Sequence, residues 1–137
     1  MTALVWVLTA LAALVVVLTR LRLSGDESGR FAVSDRLLAA HTLTGVAALV
    51  MWVTFLIAPD DTFVGGSLFG VLALAMWWAV VVCGLLLLMR WLPSGGRHVP
   101  QDVGDAWGKG PGLSMLAHLG MAAGVLVFTW AYAVAAG

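Results

Sequence analysis

Residues 37–58 read LLAAHTLTGVAALVMWVTFLIA, and this run decides the fold. It is long enough to cross the roughly 30 Å of bilayer hydrocarbon, which takes about 20 apolar residues. Its only side chain that titrates near neutral pH is His41. Residues 113–135, LSMLAHLGMAAGVLVFTWAYAVA, repeat the pattern with His118. An ionisable residue at membrane depth marks a functional site by default, because hydrocarbon penalises it unless it has work to do.

Working outward, residues 3–21 and 67–89 are equally apolar. The chain is 62% hydrophobic and 10% charged, with a mean hydropathy of +1.04, far outside the range of a soluble domain. The ten-residue alternation of a membrane barrel is missing, and backbone polar groups in lipid must be satisfied internally, so the spans are helices. The expected fold is all-α: an integral membrane four-helix up-down-up-down bundle, with helices over about 3–21, 37–58, 67–89 and 113–136 in one transmembrane domain, 1–137.

The polar connections orient it. Arg20, Arg22, Arg30 and Arg36 crowd the first loop, Arg90, Arg97 and Lys109 the third, while the second carries only Asp60 and Asp61. The positive-inside rule then puts the first and third loops in the cytoplasm and both termini outside, in a multi-pass protein of the plasma membrane. The first segment has its positive charge after its apolar run and no A-x-A site, so it reads as a retained helix and not a cleaved signal. Ser34 or Asp35 is suited to cap the second helix and Pro59 to end it, before the short turn APDDTFVGGS. Trp91 and Trp107 flank the longest loop as interfacial anchors, whereas Trp77 and Trp78, nearer mid-membrane, read as packing residues. The single cysteine excludes an internal disulfide, and Cys83 beside Gly84 reads as a buried packing thiol.

With helices two and four parallel, His41 and His118 each lie five or six residues from a cytoplasmic start, roughly 8 to 9 Å deep at the helical rise. Laying one helix on the other with the histidines matched pairs Ala40 with Ala117, Leu49 with Leu126, Val50 with Val127 and Ala58 with Ala135, the mark of a parallel repeat. Diagonal helices of a bundle stand roughly 13 Å apart, too wide for a direct imidazole hydrogen bond but suited to a flat cofactor held from both sides. Ala12, Ala13 and Gly84 are expected at the same level, with Gly45, Gly120 and Gly124 adding clearance; close helix packing is the alternative role for all these small residues.

Haem iron accepts neutral imidazole on both axial faces, and its propionates need a wet, positive edge, for which Arg36 and Lys109 are the best placed of the border cations. His41 and His118 are therefore candidate metal ligands of a haem b, with Arg36, Lys109, Gly84 and Gly45 completing the cofactor site; the alternative is that each imidazole hydrogen-bonds a neighbouring helix and fixes packing, and that the cations serve topology alone. On this histidine pair and the bundle, the chain resembles small membrane-bound b-type cytochromes, whose haem is clasped by histidines on different transmembrane helices. It departs from the two-haem, ascorbate-reducible family, which has a second histidine pair near the opposite face.

Other chemistry is thin. His98, Asp102 and Asp105 match no metal motif, and the methionines near His118, Met115 and Met121, read as packing filler. There is no nucleophile with its base, no phosphate loop and no paired carboxylates, so catalytic activity of the chain's own is not expected. No acidic residue lies within a span, which disfavours a small oligomeric transporter, and the zero net charge leaves no footprint for nucleic acid. The expected function is a membrane electron-transfer subunit that exchanges electrons with a partner or quinone. The alternative is a non-catalytic accessory subunit packed, beyond the lipid bilayer itself, against other membrane subunits or a second copy.

Overall fold

The computed structural model describes residues 2–25, 35–91 and 111–136. They form four helices and, among the described residues, no strand: α1 Thr2–Gly25, α2 Asp35–Ile57, α3 Ser67–Trp91 and α4 Pro111–Ala136. Four boundaries shift by two residues or more from the expected ones, α2 starting at 35 and α3 ending at 91 among them. Helix α1 runs four residues past 21, and α4 starts two residues before 113, with Pro111 in the first-turn position where its missing N–H costs nothing. The cap expected from Ser34 lies outside the described residues.

The short turn after α2 is built by backbone chemistry. Ala58 N–H still donates to Thr54 O at 3.0 Å, Pro59 stops the helix, and Thr62 donates to Pro59 O through both its N–H at 3.0 Å and its hydroxyl at 2.7 Å. Gly65 N–H returns a bond to Thr62 Oγ1 at 3.1 Å. The chain thus reverses in a few residues, and α3 must run antiparallel to α2.

Side-chain pairings fix the rest of the topology. Along α2 and α4, His41 meets His118, Trp52 meets Phe128 and Phe55 meets Tyr132 in the same order, so these helices are parallel. On α3 the order is reversed, with Gly84 against the histidines and Gly70 against Phe55 and Tyr132. Helix α1 packs on α2 and α4, and places Thr9 against Trp52 and Val15 and Val16 near His41, antiparallel to α2. The molecule is an up-down-up-down bundle with α2 and α4 on opposite corners.

Trp52, Trp77, Phe128 and Val125 are the largest fully buried side chains and form one core with Ala48 and Ala73. Hydroxyls join the helices in pairs. Thr9 donates to Val5 O at 2.8 Å and accepts from Trp52 Nε1 at 3.2 Å, and Thr129 donates to Val125 O at 2.8 Å and accepts from Trp78 Nε1 at 3.1 Å. Each threonine is satisfied twice, as a polar group at membrane depth must be. The packing role expected of Trp77 and Trp78 holds.

The outer surface is apolar. Leu43, Ile57, Leu86, Leu116 and Leu126 are among the large hydrophobic side chains facing outward, which is stable only in contact with lipid or another apolar surface. Three segments, Ala39–Ile57, Ser67–Leu86 and Met115–Ala135, are long and apolar enough to span a membrane. The protein is a membrane protein. Helix α1 adds the apolar run Ala3–Leu18 among the described residues.

Cys83 is exposed on the outer face of α3, correcting the expectation of a buried thiol. It follows from Gly84: a step of one residue turns about 100° around a helix, so a glycine facing inward sends its neighbour sideways and out.

Candidate functional site

His41 is six residues beyond the first residue of α2, and His118 seven beyond that of α4. At 1.5 Å per residue they lie about 9 and 10.5 Å into their helices, and their ring contact puts them at one level of the bundle. Their imidazole centroids are 6.0 Å apart with an interplanar angle of 16°. The expected gap of diagonal helices is therefore bridged by the side chains themselves, each reaching toward the bundle axis, and the space between the rings is narrower than helix separation alone suggested.

Gly84 makes this approach possible. A Cβ there would lie 2.7 Å from Cδ2 of His118 and 3.1 Å from Cε1 of His41, inside van der Waals contact with both. Any other residue would push the rings aside. Gly84 thus sits where the sequence placed it, and the need for glycine is steric.

The rings form one wall of a small cleft of about 90 Å³ that is partly open to the outside. Apart from Thr42, its other walls are apolar: Val15 and Val16 from α1, Gly45 from α2, Trp77, Val80 and Val81 from α3, Ala117 and Met121 from α4. The contribution of α1 corrects an expectation. Because α1 continues to Gly25, the level of the histidines falls about one turn beyond Ala12 and Ala13; Ala12 is buried in the core instead.

The remaining candidates divide. Gly45 lines the cleft, but a Cβ there would be 3.9 Å from Val80 Cγ1, an ordinary contact, so glycine is not sterically required. Gly120 and Gly124 have nothing within 4 Å of an added Cβ and provide no clearance beside His118. Arg36 stands exposed in the first turn of α2, outside the cleft lining. Lys109, Arg97, His98, Asp102 and Asp105, and the side chain of Arg90, lie outside the described residues.

Two buried polar atoms lack a hydrogen-bond partner among the described residues: Nδ1 of His41 and Nε1 of Trp77. Both residues line this cleft. A buried polar atom left unpaired costs about 1–3 kcal/mol and is rare in native proteins, and both such atoms belong to residues of this one cleft. Trp77 carried no such signal in the sequence, where it read as packing alone.

The donor set is restrictive. Among the described residues no group of three or more His, Cys, Asp or Glu side chains comes together. Two imidazoles are too few for a structural or catalytic zinc site, which takes three or four protein ligands. They are a complete protein complement for a metal whose other positions are filled by a macrocycle. The two imidazoles are stacked, with 6.0 Å between their centroids.

No known protein family, curated protein or solved structure matches the chain.

Proposed function

We propose that this protein is a membrane electron-transfer subunit that holds one b-type haem between His41 and His118 and exchanges electrons with a membrane partner or a quinone. The observation that carries the reading is the pair of near-parallel imidazoles 6.0 Å apart, on diagonal helices, over a glycine whose Cβ would displace them. The two-nitrogen donor set and the unpartnered polar atoms of the cleft support it.

When bound, the haem supplies a one-electron couple at its iron. The chain's own residues do the rest. His41 and His118 would present imidazole nitrogens from opposite helices, and the valines, Trp77 and Met121 line the rest of the cleft with apolar surface. Helices locked by buried tryptophans hold the two rings at a fixed spacing, so little reorganisation accompanies a change of charge. Arg36 and Lys109 are the cations proposed to meet the propionates at the membrane border. The basic first and third loops support a cytoplasmic position for the histidine end, with both termini outside, in the plasma membrane.

The test is an absorption spectrum of the purified protein, oxidised and then dithionite-reduced, after expression with ample haem. Sharp, split reduced bands of six-coordinate haem are expected in the wild type, with loss or conversion to a five-coordinate spectrum in His41→Ala and in His118→Ala. A colourless wild type, or unchanged bands in both variants, overturns the proposal.

A further inference from the structure

The cleft beside the histidines is smaller than the group the haem reading asks it to hold. It has about 90 Å³ of space, whereas pockets that enclose even a drug-sized ligand run to roughly 300–1,000 Å³. A macrocycle therefore enters only if a wall yields. Three of the four helices are tied to one another at several levels. Trp52 stacks on Phe128 at 4.8 Å between α2 and α4, Trp78 bonds Thr129 at 3.1 Å between α3 and α4, and Gly84 of α3 lies against both histidine rings.

Helix α1 is held differently along its length. Towards its N-terminus Val5, Thr9 and Ala12 are buried, and Thr9 accepts the hydrogen bond of Trp52. From residue 13 to residue 18, the stretch that reaches the histidine level, no side chain is buried: Ala13, Val15 and Val16 are half-buried, and Leu14, Val17 and Leu18 are exposed. Val15 and Val16 are the part of α1 that lines the cleft. In lipid no hydrophobic force holds apolar helices together, because the lipid tail that replaces a lost contact is as apolar as the side chain it replaces. Parting Val15 and Val16 from their neighbours therefore costs packing alone, whereas parting α1 at Thr9 also breaks a buried hydrogen bond.

We infer that α1 is the hinged wall of the site: pinned at Thr9, its histidine-level half swings outward to admit the macrocycle while α2, α3 and α4 keep their places. The inference rests on the haem reading of the cleft. Val16 lies seven residues beyond Thr9, a lever of about 10 Å. Moving its end by the thickness of one aromatic ring, about 3.5 Å, takes a tilt of about 20°. Membrane helices tilt over a range of about 0–40°, so the swing stays within what a bilayer accommodates. The macrocycle then enters from the α1 side of the bundle.

The experiment measures distances between nitroxide labels by pulsed electron spin resonance, in nanodiscs, with and without added haem. One pair spans α1 and α3 near the histidine level, Leu18→Cys with Leu86→Cys, and a second spans them at the other end, Leu4→Cys with Val71→Cys, both in a Cys83→Ser background. All five positions are exposed, so the labels disturb no core contact. Haem is expected to lengthen the first distance by about 3.5 Å or more and to leave the second unchanged. Six-coordinate haem bands with the first distance unchanged, or with both distances lengthened alike, overturn the inference and leave the haem reading intact. A haem-treated sample without such bands overturns the haem reading, and the inference falls with it.

Discussion

At Gly84 a single hydrogen atom in place of a methyl group decides whether two imidazoles can share the bundle axis. Introducing a Cβ forces overpacking against both rings, a class of change that costs about 1–3 kcal/mol. Gly84→Ala is accordingly expected to lower the thermal midpoint in detergent or nanodiscs and to weaken or broaden the reduced bands of the proposed haem. Gly45→Ala is the control: its Cβ meets only Val80, at 3.9 Å. Helix propensity favours alanine by roughly 0.5–1 kcal/mol, so an unchanged or raised midpoint is expected there. Equal losses in the two variants would show that the ring contact at Gly84 is not what demands glycine. Gly84 was legible in the sequence as a small residue at the right depth, but its partners were not, because a glycine's sequence context does not state what approaches it.

The turn between α2 and α3 is where a local element sets the architecture. A Cβ on Gly65 would run into the carbonyl oxygen of Pro59 and come within 2.9 Å of Ala58 O, both backbone atoms with little room to yield. On Gly66 it would meet Thr62 O at 3.2 Å and Phe63 O at 3.4 Å, tight but tolerable. Gly65→Ala is therefore expected to destabilise by about 1–3 kcal/mol and Gly66→Ala by distinctly less, as read from thermal unfolding followed by circular dichroism. A reversed order would mean that the turn is not held by the Pro59 contacts. The stopping proline and the short polar interval were visible in the sequence, and so was antiparallel pairing. The end of α1 was not, since the polar, Arg-bearing segment after 21 continues as helix to Gly25. That one-turn difference moved the α1 contribution to the cleft from Ala12 and Ala13 to Val15 and Val16.

For the whole molecule the open variable is orientation. The excess of arginine and lysine in the first and third connections over the second predicts that both ends of the chain face away from the cytoplasm. A periplasm-dependent reporter such as alkaline phosphatase, fused after Gly137, is expected to be active, and a fluorescent protein that folds only in the cytoplasm is expected to be dark. The converse pattern would place the histidine end on the outer side and reverse the side from which partners approach. The internal parallel repeat also belongs to this scale. Its pairing of Ala40 with Ala117 and Leu49 with Leu126 was readable as a sequence offset, but only the bundle shows that the same offset brings rings into contact at two levels.

The sequence by itself determined the class of solvent, the helical secondary structure and the matched depth of His41 and His118. These follow from length, apolar content and the cost of exposing backbone or imidazole to hydrocarbon, all properties of local chain. Only the tertiary structure decided which face of each helix turns inward: that Cys83 points out while Gly84 points in, that Gly120 and Gly124 leave the cleft, and that Trp77 closes it. The physical reason is that these helices are apolar all round. In water a polar stripe marks the outer face; in lipid inner and outer faces are equally apolar, and packing shape alone chooses between them.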